Sequence, residues 1–196
     1  LGKREKNRLA AALCAHVFAV TITGAAAAQT NASPASAPGV AVNSAAAQAL
    51  FDDARKLMAS GNLGEACPKF EESQRLDPGS GTLMNLAVCY ERQGRTASAW
   101  TTYIEAGNLA KANGKPDRAR AAEGKAAALS PKLARLTIRV ASGKVASLEV
   151  QRDSIVVRSP MWGTAIPLDP GAHRIVATAP GRKGWQTGVD PLFRTG

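Results

Sequence analysis

Histidine is nearly missing from this chain: 196 residues contain two, His16 and His173. Aromatic side chains make up 5% of it, and there are three cysteines. These shortages exclude a good deal. A single large aromatic core is out of reach, so two small units fit the length better than one. There is no His-rich metal spacing, no Ser-His-Asp set, no P-loop and no dinucleotide-binding glycine motif. No Cys-x-x-Cys spacing exists, which removes a redox-catalytic thiol pair. The adjacent carboxylates Asp52-Asp53 and Glu71-Glu72 point apart on a helix, so they read as solvated faces and not as an acid-base pair. His173 heads a strand directly after a turn and is expected to be exposed or to pack at an edge. The chain therefore reads as a non-enzyme with no cofactor and no metal.

Long apolar runs are scarce too. The one that stands out, Leu9 to about Gly24, follows Lys3, Arg4, Lys6 and Arg8 and precedes Ala26-Ala27-Ala28-Gln29. Basic, apolar and small-residue segments in that order form a secretory signal, with Ala26 and Ala28 at the cleavage positions. A transmembrane anchor is the alternative, but the run is short and Ala-rich. Residues 1–28 are thus expected to be removed, leaving no transmembrane span and a periplasmic or envelope location.

Charge is mostly of one sign. The whole chain carries +10, and without residues 1–28 it would carry +7. Residues 135–196 contribute nine basic and four acidic side chains to that excess. No nucleic-acid-binding motif accompanies it, so nucleic acid is not expected as a partner. Solvated charge that maintains solubility is the plain explanation; an anionic envelope polymer is the functional one.

Residues 29–44 are rich in Ser, Pro, Ala and Gly without apolar period and read as a flexible linker. From Ser44, a plausible N-cap, the pattern becomes helical. Leu50, Ala54, Leu57 and Met58 form one face, broken at Ser60-Gly61-Asn62. Asn62 and Glu65 have capping-box spacing, and Ala66, Phe70, Ser73 and Leu76 form the next stripe, ended by Asp77-Pro78-Gly79. Leu83, Leu86, Ala87 and Tyr90, then Gly94, then Ala99, Tyr103 and Ala106 repeat that layout at an offset of 33 residues. "PDRARAAEGKAAAL", stopped by Ser130-Pro131, adds a polar-faced helix.

With its small residues Ala66 and Ala99, aromatics Phe70 and Tyr103, inter-helix Gly61 and Gly94, and closing Pro78, the stretch from Ala47 to Leu109 resembles two tetratricopeptide (TPR) repeats. Helical hairpins of an α-α superhelix are then implied over residues 45–130, with the third helix as cap. The resemblance implies an inner groove lined by the first helix of each repeat: Gln48, Phe51, Asp52, Arg55 and Met58, then Met84, Asn85, Val88, Glu91 and Arg92. Asn85 matches a position whose side chain bonds a bound peptide's backbone. A protein or peptide partner in the cell envelope is the implied ligand. The TPR arrangement also packs the helices bearing Cys67 and Cys89 together, and in an oxidising compartment these two are expected as a disulfide; two buried free thiols are the alternative. Pro68, beside Cys67, breaks the helix rule and is expected to weaken or bend its helix.

Past Pro131 the period becomes two. "RLTIRV", "SLEVQRDSIVV" about an Arg-Asp-Ser turn, and "GTAIPLDPGAHRIVATAP" about Asp169-Pro170-Gly171 read as a small antiparallel β-sandwich over 133–190, with 191–196 as tail. The strand order, "GTAIPLDPGAH" and "APGRKGW" resemble PEGA-type domains of bacterial envelope proteins. Signal, TPR pair and PEGA-like module together resemble a periplasmic group of Gram-negative bacteria. The expected fold class is α + β in separate units. The rival functional reading is a cell-wall or polysaccharide-binding module in which Trp162, Trp185, Arg182 and Lys183 form a glycan platform and the helices are a spacer; against it, tryptophans in so small a domain commonly serve its core.

Overall fold

The computed structural model describes residues 38–141 and 145–190. The expected signal peptide, residues 29–37 of the expected linker and the tail at 191–196 lie outside them. Helix α1 spans Pro38–Ala59, so it begins within the stretch read as linker, and Ser44 is not its N-cap. Proline is tolerated at the first helical position, where its missing N–H would go unbonded anyway, and the alanines that follow favour helix. Ser44 instead lies within the helix and donates its hydroxyl to Asp77 Oδ2 at 2.6 Å.

Helix α2 (Leu63–Leu76) carries Asn62 at its N-cap position without a side-chain cap bond. The expected capping box is replaced by a side-chain pair, Asn62 Nδ2 donating to Glu65 Oε1 at 2.8 Å. Pro68 lies inside α2, which continues past it, and its ring is exposed. Helices α3 (Ser80–Arg92) and α4 (Thr96–Ala112) repeat the hairpin. α5 (Pro116–Leu129) follows with Pro116 at its first turn and a short 3₁₀ turn, Ser130–Lys132, after it.

The same turn joins α1 to α2 and α3 to α4. Gly61 and Gly94 adopt φ of +82° and +76°. Each N–H reaches back to a carbonyl of the helix end (Met58 and Glu91), while the next residue's N–H reaches Leu57 and Tyr90. That is the Schellman closure, and its positive φ favours glycine. Between the hairpins, Ala54, Ala66, Phe70, Ala87, Ala99 and Tyr103 are wholly buried in one cluster. Phe51 meets Phe70 edge to face with centroids 5.6 Å apart. α5 presents Ala119, Ala122, Ala126 and Leu129 as its buried residues and leaves most of its remaining surface to solvent.

Cys67 on α2 and Cys89 on α3 are both buried and are joined as a disulfide, Cα atoms 5.7 Å apart. Ser73 ties α2 to α1 by donating to the Ala47 carbonyl at 2.8 Å. Two tyrosines tie later helices to earlier ones: Tyr90 donates to Glu71 at 2.7 Å and Tyr103 to Glu91 at 2.9 Å. Burial and the accepting carboxylate push both phenols well above their ordinary pKa, so they remain donors at any physiological pH.

The β region forms two antiparallel sheets. β1 (Ala134–Thr137) pairs with β4 (Ala165–Leu168). The second sheet has the order β3 (Ile155–Val156), β2 (Glu149–Arg152), β5 (His173–Thr178), β6 (Trp185–Val189). β2 and β3 are joined by Asp153-Ser154, both at positive φ, the two-residue hairpin turn whose twist suits the flanking strands. Asp169-Pro170-Gly171 does not close a hairpin: β4 and β5 lie in different sheets, so the turn is a crossover. Gly188 and Val189 complete β6, inside the stretch expected for the β region. Val150, Val157 and Ile175 are buried together, with Leu136 and Ile166 of the other sheet packed against them. Helices and strands are segregated along the chain yet fall in one compact unit. No described helix is long and apolar enough to cross a membrane.

Candidate functional site

The first helices of the two hairpins, α1 and α3, touch one another and both pack on the shared core. Phe51, Met58, Met84 and Val88 are half-buried there, packed on the wholly buried cluster with part of each side chain still open to solvent. Phe51 also lines a cleft of about 480 Å³. Gln48 and Phe51 of α1 form one wall, Gly79, Gly81 and Thr82 another, with Ser73 and Asp77 of the α2 end between. The lining mixes one aromatic face with amide, hydroxyl and carboxylate groups. Arg55 lies over the Phe51 ring at 5.9 Å, a cation facing the negative face of the ring.

The polar residues assigned to the groove are placed less uniformly. Gln48 is exposed and donates to Asp52, one turn along, at 3.1 Å. Asn85 donates to the Gly81 carbonyl of its own helix at 2.9 Å. Glu91 accepts from Tyr103, which fixes it toward α4. Arg92 donates to the Met58 carbonyl at 2.7 Å, where a cation also suits the partial negative charge of the α1 C-terminus. Glu91 and Arg92 thus join helices to one another, while Gln48 and Arg55 are exposed and Phe51 and Met58 half-buried.

A second polar cluster, missed by the sequence reading, lies where the helices meet the strands. Asp169, in the crossover after β4, accepts from the backbone N–H of Ser98 at 2.8 Å and from its hydroxyl at 2.5 Å. Ser98 is in the first turn of α4, whose own N-cap position is occupied by Arg95, a residue with nothing to accept with. Asp169 therefore caps α4 from 71 residues away, satisfying a free N–H of the first turn and placing negative charge at the positive end of the helix. Arg95 completes the cluster, 3.6 Å from Asp169 Oδ2 and stacked over the Tyr90 ring at 4.1 Å.

His173 is neither exposed nor on an edge strand: its side chain retains 15% of its accessible surface, and β5 lies between β2 and β6. Nδ1 lies 2.6 Å from Asp153 Oδ2 and Nε2 lies 2.8 Å from the Asp169 carbonyl. Burial works against the charged ring, but those two hydrogen bonds outweigh it and hold the imidazole above its ordinary 6.5. Burial likewise works against the Asp153 carboxylate, and its bonds from His173 and the Arg174 N–H bring it below its ordinary value. The local signal that could have pointed here is negative: α4 begins after "QGR" with no side-chain acceptor placed to cap it.

The four residues of the expected glycan platform fall on different elements. Trp162 donates its indole N–H to the Val157 carbonyl at 2.9 Å and packs on the β core. Trp185 is 56% exposed on β6, the opposite edge of the sheet from β3. Arg182 and Lys183 are exposed in the turn before it. Among the described residues no three His, Cys, Asp or Glu side chains gather as they would around a metal. No protein-family model matches the chain, and no curated protein matches it closely enough in sequence to count as a relative.

Proposed function

We propose that this is an exported, non-enzymatic envelope protein of the tetratricopeptide type, which binds an extended segment of a protein partner along α1 and α3. The β region, in this reading, is a PEGA-like sandwich that associates the protein with an envelope surface. The observation that carries the proposal is the cleft between the starts of α1 and α3, where the half-buried Phe51 ring lies among mostly polar walls. A strand-like peptide suits such a lining, since its backbone can bond Gln48 and Thr82 while a side chain covers Phe51. The β region lends less support to the polysaccharide alternative, because one of the two rings it requires is part of the core.

A photo-reactive residue at Gln48 in the full exported chain, activated in cells, tests the reading. One discrete protein adduct is expected, absent when the same residue stands at Arg120 on α5 and lost when Thr82→Arg fills the cleft in a variant that melts normally. Equal labelling from both positions would overturn it. Loss of adducts together with sedimentation on purified wall material would transfer the function to the β region.

A further inference from the structure

β6 is the last strand of its sheet: β5 pairs with one side of it, and no described strand pairs with the other. Its five residues, Trp185–Val189, therefore present a row of unpaired backbone N–H and C=O groups. Natural sheets commonly guard such an edge with a charged residue, a proline or a bulge. The sequence Trp-Gln-Thr-Gly-Val has no charge and no proline, and its register with β5 runs without a break from Ala177↔Trp185 to His173↔Val189. β3, at the other edge, is only two residues long.

Both faces of β6 are also incomplete. Trp185 stands opposite Ala177 on the face that carries the core, yet it is 56% exposed. On the other face a hollow of about 320 Å³ lies over Gly188, bordered by Arg174, Gln186 and Thr187. A Cβ added at Gly188 would meet nothing within 4 Å. The strand is complementary to its own reverse. Antiparallel and centred on Thr187, it sets Trp185 against Val189 and Gln186 against Gly188, and just outside them Gly184 against Asp190, one residue from Lys183. Directly opposite residues share a face, so the indole covers a half-buried valine and the amide side chain enters the hollow over the glycine. Asp190 comes within reach of Lys183 at both ends. Lys183 and Asp190 are exposed, and neither forms an ion pair with another described residue.

We propose that β6 pairs with β6 of a second copy of this chain about a two-fold axis at Thr187, joining two four-stranded sheets into one. Each contact then occurs twice, as a two-fold axis requires. The area closed by one strand pair is small, so the dimer is reversible and depends on concentration. The pairing engages no residue of the α1–α3 cleft and stands whatever that cleft binds.

Sedimentation of the full exported chain over a range of concentrations tests this. A reversible equilibrium between monomer and dimer is expected. Gly188→Glu, which fills the hollow from within the same chain, should weaken the dimer about tenfold or more with an unchanged melt. Lys183→Glu should weaken it about fivefold, two exposed ion pairs being lost, and Asp190→Lys in the same chain should restore it. Cysteine substitution reads the register. Directly opposite residues of an antiparallel pair have Cα atoms about 4.5–5.5 Å apart, inside the disulfide range, and diagonal ones about 7–8 Å, outside it. Thr187→Cys should therefore oxidise to a covalent dimer, and Gln186→Cys should not. If Gly188→Glu alters the melt, the two cysteine variants decide. A chain that stays monomeric at every concentration, a dimer indifferent to Gly188→Glu with its melt intact, or equal cross-linking from both cysteine positions overturns the proposal.

Discussion

Replacing Asp169 with alanine should unfasten the start of α4 without touching any residue of the helical core. The lost bond to the Ser98 N–H is a capping interaction, about 1 kcal/mol by analogy with N-cap truncations. The bond from the Ser98 hydroxyl ends on a carboxylate, a class worth about 1.5–3 kcal/mol. The half-exposed pair with Arg95 adds under about 1 kcal/mol. These share one side chain and do not add fully, so a total near 2–3 kcal/mol is expected. Asp169→Asn, which retains an acceptor but not the charge, should cost about half as much, and Ser98→Ala about 1 kcal/mol. Urea unfolding followed by circular dichroism measures all three, and the double variant gives the coupling. Asp169→Ala within about 0.5 kcal/mol of the parent, or fully additive single effects, would refute the cap.

Reducing the disulfide, or Cys67→Ala with Cys89→Ala, should lower stability by about 3 kcal/mol, because the bond closes a loop between residues 22 apart; thermal melts with and without reductant check this. His173 should titrate above 6.5, so its contribution is full below that value and is lost as pH rises through the raised folded pKa, while the contribution of Asp153, lowered from 3.8, is lost as pH falls through its own folded value. A urea midpoint that declines with rising pH in the parent but not in His173→Gln is the expected result, and equal profiles would refute it. Trp162→Ala should destabilise the β region by about 3–5 kcal/mol, as large core truncations do, whereas Trp185→Ala should change stability little; near-UV and far-UV melts separate the two.

The helical part was legible because its signals are local. Apolar stripes, Gly61 and Gly94, and Pro116 with Ser130-Pro131 mark elements within a few residues of where they lie. The start of α1 was obscured because serine and proline suit both a linker and a first turn, and only the alanines between them distinguish the two. The strands were visible in outline, but which strand pairs with which was not: Asp-Pro-Gly looks the same in a hairpin as in a crossover between sheets. The junction could not be read at all. Asp169 and Ser98 are far apart in sequence, neither belongs to a motif, and a histidine after a turn gives no sign of the two acceptors that will surround it. On α1 and α3 the sequence suggested a common binding face; it could not show that Glu91 and Arg92 turn to neighbouring helices instead.

The cap on α4 has a mechanical side. A β module joined to helices only through the short turn at Ser130–Lys132 would swing about that point, like a flag on a pole. Asp169 adds a second fastening, on the helix before the one that leads into the turn, and a body held at two places off a common axis resists bending. A load applied across the junction then passes through Ser98 and Asp169 as well as through the chain. The first part to slip under tension across the junction would be a hydrogen-bonded carboxylate, not a stretch of core.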